Sequence, residues 1–205
     1  MNKKKKGIFI VIEGIDGSGK TTLSYLLKDY LTKKGFDVVQ LKEPTDSYWG
    51  KKIKEIQLNG RGKIRPEEEL NLFMEDRKFD IEKNIIPNLK KGKIVILDRY
   101  FYSTIAYQGA LGLNYKWIKK INEESFPLPD IVIYLKIDPK KGLKRITKNR
   151  GDEPQQAYEK VEYLEKVKRI FDDLAKKDKR IKTVEADTPI EKVFEESVKI
   201  ISKIL

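Results

Sequence analysis

A nine-residue segment, GIDGSGKTT (Gly14 to Thr22), follows directly on an apolar run, GIFIVIE, and few architectures accommodate that order. The segment fits the pattern Gly14-x-x-x-x-Gly19-Lys20-Thr21, in which two glycines let the backbone curl so that several N–H groups face one anion. The helix that follows adds the partial positive charge of its N-terminus. In this pattern Gly14, Ile15, Asp16, Gly17, Ser18, Gly19, Lys20, Thr21 and Thr22 wrap a nucleotide phosphate chain. Lys20 reaches the β- and γ-phosphates, and the Thr21 hydroxyl ligates Mg²⁺.

The rest of the chain alternates strand-like and helix-like segments, which implies an α/β fold with a parallel sheet. Short apolar runs at Ile8–Ile12, Val38–Leu41, Ile94–Leu97, Ile131–Ile137 and Ile181–Val184 read as buried strands. Leu23, Leu26, Leu27, Tyr30 and Leu31 recur at helical spacing, so a helix opens inside the glycine loop and stops at Gly35. Pro66, followed by Glu67, Glu68 and Glu69, predicts a helix running toward Pro87. Thr188-Pro189-Ile190-Glu191 predicts a capping box for a last helix that turns Ile190, Val193, Ser197, Ile201 and Ile204 inward. With 205 residues, no internal repeat and no linker, the chain reads as a single domain, 1–205.

Two absences narrow the chemistry. The chain has no cysteine and no histidine, which excludes thiol nucleophiles, zinc fingers and imidazole acid–base catalysis. What remains are carboxylates, Lys, Arg, hydroxyls, backbone amides and a metal held by oxygen, a set suited to phosphoryl transfer. A net charge of +12 invites a nucleic-acid reading, but both signs are interspersed among the 37% of residues that are charged. The expectation is therefore an anionic small substrate and no nucleic acid. No apolar stretch approaches the ~18–20 residues of a membrane span. The basic start resembles a signal peptide but runs into the glycine loop, so the expected location is cytoplasmic, without membrane attachment.

KIVILDRY (Lys93 to Tyr100) puts Asp98 at the carboxyl end of an apolar strand, where parallel α/β sheets place their ligands. Asp98 is either a carboxylate acting on Mg²⁺, directly or through water, or the N-cap of the next helix. Arg99 beside it reads as a phosphate partner. Phe73 and Arg77 are four apart and share a helix face. They are either a base-reading pair, one stacking and one donating, or a core aromatic with an arginine snorkelling from it. Tyr100, Tyr102 and Tyr107 could likewise be ordinary helix packing.

Four segments together resemble the thymidylate kinase family of P-loop nucleoside monophosphate kinases: FIVIEGIDGSGKTT, LNLFMEDR, VILDRYFYSTIAYQG, and LKRITKNRGDEP running into AYEKVEYLEKV. The resemblance implies a five-stranded parallel sheet in the order 2-3-1-4-5 between helices, a homodimer, and a mobile lid over about residues 144–158. It implies Mg-ATP as donor and dTMP as acceptor, giving dTDP and ADP. It implies that Phe73 stacks on the thymine and Arg77 hydrogen-bonds it, while Arg99 binds the acceptor phosphate. Tyr107 then lies by the sugar, Asp16 near both sugar and metal, and Ser103, Thr104 and Gln108 line the acceptor pocket.

The chain departs from the family in two places. Thr45-Asp46 stand after Glu43-Pro44 where bacterial members usually carry two glycines, which bears on acceptor choice. The phosphate loop has Gly17-Ser18 where one subgroup has an arginine, so the lid supplies the cation, with Arg145, Lys148 and Arg150 as candidates and Arg150 first. Ala157 also stands where an arginine commonly precedes the Tyr158-Glu159 pair. The alternatives are a kinase for another pyrimidine monophosphate, or a P-loop switch protein with no acceptor; the DRY…AYQ segment favours an acceptor.

Overall fold

In the computed structural model, residues 6–59, 64–150 and 161–205 are described, and for 147–150 the backbone alone. Five strands form one sheet: β1 (Ile8–Gly14), β2 (Val38–Lys42), β3 (Ile94–Asp98), β4 (Ile131–Lys136) and β5 (Ile181–Glu185). Their order is β2-β3-β1-β4-β5 and every pairing is parallel. β1, β3 and β4 are almost continuously apolar because helices cover both faces of the sheet.

The helices are α1 (Lys20–Lys33), α2 (Tyr48–Asn59), α3 (Pro66–Asp80), α4 (Ile86–Lys90), α5 (Phe101–Ala110), α6 (Tyr115–Ser125), α7 (Pro139–Arg150), α8 (Val161–Lys177) and α9 (Ile190–Ile201). Leu23, Leu27 and Leu31 of α1 are buried, and Gly35 beyond its end adopts a positive φ of 86°. Among the described residues, no helix is long and apolar enough to cross a membrane.

Two local expectations need correction. The helix from Pro66 does reach past Pro87, but it widens into a π-helical turn over Ile81–Ile85 before α4 resumes. Proline lacks an N–H and its ring crowds the carbonyl four residues back, so a wider turn ahead of Pro87 relieves both conflicts. The capping box at α9 does not form. Pro189 takes the cap position without a side-chain bond, and the Thr188 hydroxyl donates to the Glu185 carbonyl instead.

Strand register creates the site. Ile12 of β1 lies opposite Asp98 of β3, and Asp98 lies opposite Lys42 of β2. The glycine loop, the Asp98-Arg99 pair and Glu43 therefore leave the sheet side by side at its carboxyl edge. Next to β1 the winding direction reverses, and loops on either side part to leave a crevice.

Candidate active site

The loop Ile15–Gly19 turns tightly enough for Gly17 and Gly19 to hold φ of 78° and 95°. At Gly17 a side chain is doubly excluded, because a Cβ would sit 2.1 Å from the Gly142 carbonyl oxygen. The loop is thus pressed backbone to backbone against the first turn of α7. Lys20, the first residue of α1, is buried and folds back to donate to the Ile15 carbonyl at 2.9 Å. Burial, and secondarily the Arg99 charge, lowers its pKa to about 8.

Thr21 lies one residue on and donates its hydroxyl to Asp98 Oδ2 at 2.5 Å. The other oxygen of Asp98 is buried with no hydrogen-bond partner. A buried carboxylate oxygen left unpaired is costly, and an oxygen-seeking cation beside Thr21 would satisfy it. The donor set of one hydroxyl and one carboxylate fits Mg²⁺, which keeps several waters and takes few protein ligands.

Arg99 follows Asp98 and holds φ 73°, unusual for a residue with a side chain. That turn swings the guanidinium back over the loop. It pairs with Asp16, donates to Ser103 Oγ at 3.1 Å, and lies over the Tyr107 ring. Tyr107 donates to Asp16 Oδ2 at 3.4 Å and accepts from the Asp16 amide at 3.2 Å.

Beneath this turn is a residue that the sequence reading passed over. Glu13 is fully buried and accepts from the Tyr100 amide, the Ser103 amide and the Ser103 hydroxyl, at 2.8, 3.1 and 2.6 Å. Burial raises its pKa, against the opposing pull of Ser103 and the Arg99 charge. Its signal was available: an acid inside VIEG, in a strand otherwise apolar, requires a buried partner.

One cleft of about 450 Å³ runs from Gly19, Lys20 and Thr21 past Asp98, Arg99 and Asp16 to Tyr107, Ser103, Thr104 and Phe73. Phe73 is half-buried and lines this cleft, so it is not sealed in the core. Arg77 neither snorkels nor faces the cleft freely. It is 1% exposed, and its guanidinium donates to Glu43 at 2.6 Å, Thr104 at 3.0 Å and Asn122 at 3.0 Å. Gln108 does not line the cleft either. One turn beyond Thr104 it is buried against α3, donating to Glu69 at 3.3 Å.

A second hollow lies on the far side of the glycine loop, bounded by Gly17, Ser18, Gly19, Thr22, Arg145, Ala186 and Thr188. Arg145 is thus set beside the loop, one helical turn past Gly142. The side chains of Lys148 and Arg150, and the lid residues 151–158 with Ala157 and Tyr158, lie outside the described residues, as does Glu159.

A parallel 2-3-1-4-5 sheet, a phosphate loop at its carboxyl edge, a Thr21–Asp98 hydroxyl–carboxylate pair and an arginine in the adjoining cleft define a P-loop phosphotransferase. The thymidylate kinase family model matches residues 12–197. A probable thymidylate kinase of Archaeoglobus fulgidus is 42% identical over 198 residues, covering 97% of this chain and 96% of that protein. One of Pyrococcus abyssi is 40% identical over 201 residues, covering 96% of each. The thymidylate kinase of Desulfotalea psychrophila is 44% identical over 169 residues, 82% of each chain. The chain belongs to the thymidylate kinase family.

Proposed function

We propose that this protein transfers the γ-phosphoryl group of ATP to the phosphate of dTMP, giving dTDP and ADP. The observation that carries the reading is the single cleft joining Lys20 and Thr21 to Phe73, with Arg99 midway. The donor phosphates lie in the glycine loop, where Lys20 gives up the Ile15 carbonyl and places its charge on the β- and γ-oxygens. Thr21 and Asp98 hold Mg²⁺, which neutralises charge on the phosphate oxygens when bound. The acceptor base stacks on Phe73. Arg77 shapes that end of the cleft through Glu43 and Thr104, both of which line it.

Arg99 leaves Asp16 for the acceptor phosphate and aligns an oxygen of it with the γ-phosphorus. Tyr107 and Asp16 stand by the sugar. The attacking phosphate has a second pKa of about 6, so near neutral pH it is mostly dianionic and needs no base to remove a proton. That suits a chain without histidine. As the γ-phosphoryl group passes across, the bond to the β-bridging oxygen breaks and ADP leaves with that oxygen's charge, close to Lys20. A lid over about residues 144–158 supplies a further cation, from Arg150 or Arg145. The protein acts as one domain, in the cytoplasm, and as the homodimer that the family resemblance implies.

The test is ADP release from ATP and Mg²⁺ against a panel of nucleoside monophosphates. The reading expects turnover that requires an added monophosphate and is fastest with dTMP. ADP release indifferent to any monophosphate would overturn it.

A further inference from the structure

The loop between β2 and α2 carries Thr45 and Asp46 after Glu43-Pro44, and its geometry has a source on another helix. Asp76, in α3, is 1% exposed, and both its oxygens are taken by this loop. Oδ2 accepts from the Thr45 amide at 2.8 Å, and Oδ1 accepts from the Thr45 hydroxyl at 2.5 Å and the Ser47 hydroxyl at 2.6 Å. Each hydroxyl is used a second time. Thr45 Oγ1 accepts from the Ser47 amide and Ser47 Oγ from the Gly50 amide, both at 3.0 Å. The network therefore runs from α3 through the loop into the first turn of α2. It is packed so closely that a Cβ at Gly50 would lie 2.2 Å from the Thr45 carbonyl oxygen and 2.8 Å from Asp76 Oδ1.

The next residue along α3, Arg77, grips the same loop through Glu43. Adjacent α3 residues thus fasten the loop on both sides of Pro44, and Pro44 lines the cleft. Phe73 precedes Asp76 by three residues, one turn along the same helix. The loop leads into α2, whose Lys54 and Gln57 line the cleft as well. On the α2 side of Pro44, the spacing between Phe73 and this wall is consequently held by one carboxylate and two hydroxyls.

We infer that Asp76, acting through Thr45 and Ser47, is a positioning residue that fixes the acceptor-base slot. Its hydrogen bonds supply the definition that this loop would otherwise need from backbone turns. The inference rests on Phe73 marking the acceptor end of the cleft. Its effect falls on acceptor binding, because the hydrogen bonds that Asp76, Thr45 and Ser47 make among the described residues do not reach the glycine loop or the Asp98 side chain. Loosening it lets the wall drift from Phe73 and weakens dTMP binding while ATP binding and the chemical step continue.

The experiment compares Thr45→Val, Thr45→Ser and Asp76→Ala, with steady-state constants for dTMP and ATP and a melting curve for each. Thr45→Val keeps the shape but removes one hydroxyl from Asp76 and one acceptor from Ser47. It is expected to raise the dTMP KM about tenfold or more, as loss of a hydrogen bond to a buried charge does. The ATP KM should stay within about twofold and kcat within about threefold, the signature of lost ground-state and transition-state binding alike. Thr45→Ser, which restores the hydroxyl, should return the dTMP KM to wild type. Asp76→Ala should reproduce the Thr45→Val pattern more strongly; if it does not fold, the Thr45 pair decides. A wild-type dTMP KM in Thr45→Val, or dTMP and ATP constants moving together with a lowered melting temperature, would overturn the inference. Failure of the wild-type enzyme to use dTMP would instead remove the functional reading beneath it.

Discussion

Thr21 and Asp98 meet hydroxyl to carboxylate at 2.5 Å, and the second oxygen of Asp98 is buried without a partner. The two residues arrive from different elements, the first turn of α1 and the last position of β3, and only strand register brings them together. An N-cap role for Asp98 is not what the geometry shows, since the cap of α5 is Tyr100 and carries no side-chain bond. Asp98→Asn keeps the shape and removes the charge. It is expected to raise the Mg²⁺ concentration for half-maximal rate and to lower the rate by about 10- to 100-fold, as groups that tune a metal site do. A Mg²⁺ titration of kcat reads both, and a titration matching wild type would assign the pair to tying α1 to the sheet.

Lys20 gives the enzyme a pH signature. With its pKa held near 8 by burial, against 10.5 for the free side chain, the folded protein binds fewer protons than the unfolded chain between those values. Stability of the free protein from this source therefore rises with pH across that window. ATP reverses the preference, because phosphate charge favours the ammonium form. Above pH 8 the complex must take up a proton, so ATP affinity should fall as pH rises, and below it the group contributes no slope. Calorimetry at pH 9 in buffers of differing ionisation heat should show proton uptake in wild type and none in Lys20→Met. The same variant should lose turnover by about 10²-fold or more, since the missing charge acts on the transferring group. Proton uptake persisting in Lys20→Met would place the titrating group elsewhere.

The two readings of Phe73 separate cleanly by kinetics. Because the ring is half-buried and borders the cleft, Phe73→Ala should fold. Base stacking on an aromatic is worth about 1–3 kcal/mol, which predicts a dTMP KM raised by about fivefold to about 150-fold. The ATP KM should stay near wild type. An unfolded variant, or one that loses ATP, would show that Phe73 serves the core.

The five strands, the glycine loop and helix α1 were legible because each depends on local pattern: apolar runs, a motif with fixed spacing, and helical periodicity. The order of the strands depends on distant pairings and came only through the family resemblance. Glu13, Asp76 and Glu43 were not, because their roles depend on partners 90, 31 and 34 positions away. A sequence displays a buried charge only as an anomaly, and Glu13 inside an apolar strand was one. Arg77 shows the converse limit. Its spacing from Phe73 matches a shared helix face, yet its two terminal nitrogens are bonded to Glu43, Thr104 and Asn122, none of which is near it in sequence. The family resemblance implied a place for Gln108 in the acceptor pocket beside Ser103 and Thr104, whereas its side chain, one turn of α5 further on, is bonded to Glu69.

The two arginines proposed as lid cations are expected to act differently on the donor side. Arg145 stands beside Gly17, Ser18 and Thr22, on a helix whose first turn is locked to the glycine loop at Gly142. It is in place before any substrate arrives, so its contribution is to ground state and transition state alike. Arg145→Ala should raise the ATP KM and leave kcat comparatively unchanged. Arg150 ends α7, eight residues and about 12 Å of helix rise beyond Gly142. A contact made in the transition state and not before it is what rate acceleration requires, and the role proposed for Arg150 is of that kind. The glycine loop has no arginine of its own, so a further cation is proposed to come from this helix. An arginine supplied this way can be worth ~10³ or more in kcat. Arg150→Ala should therefore lower kcat by about a hundredfold or more while ATP affinity, measured separately by equilibrium binding, changes far less. Wild-type kcat in both single variants would mean that the lid only covers the cleft, and a kcat loss confined to Arg145→Ala would move the transition-state role to the helix already packed on the loop.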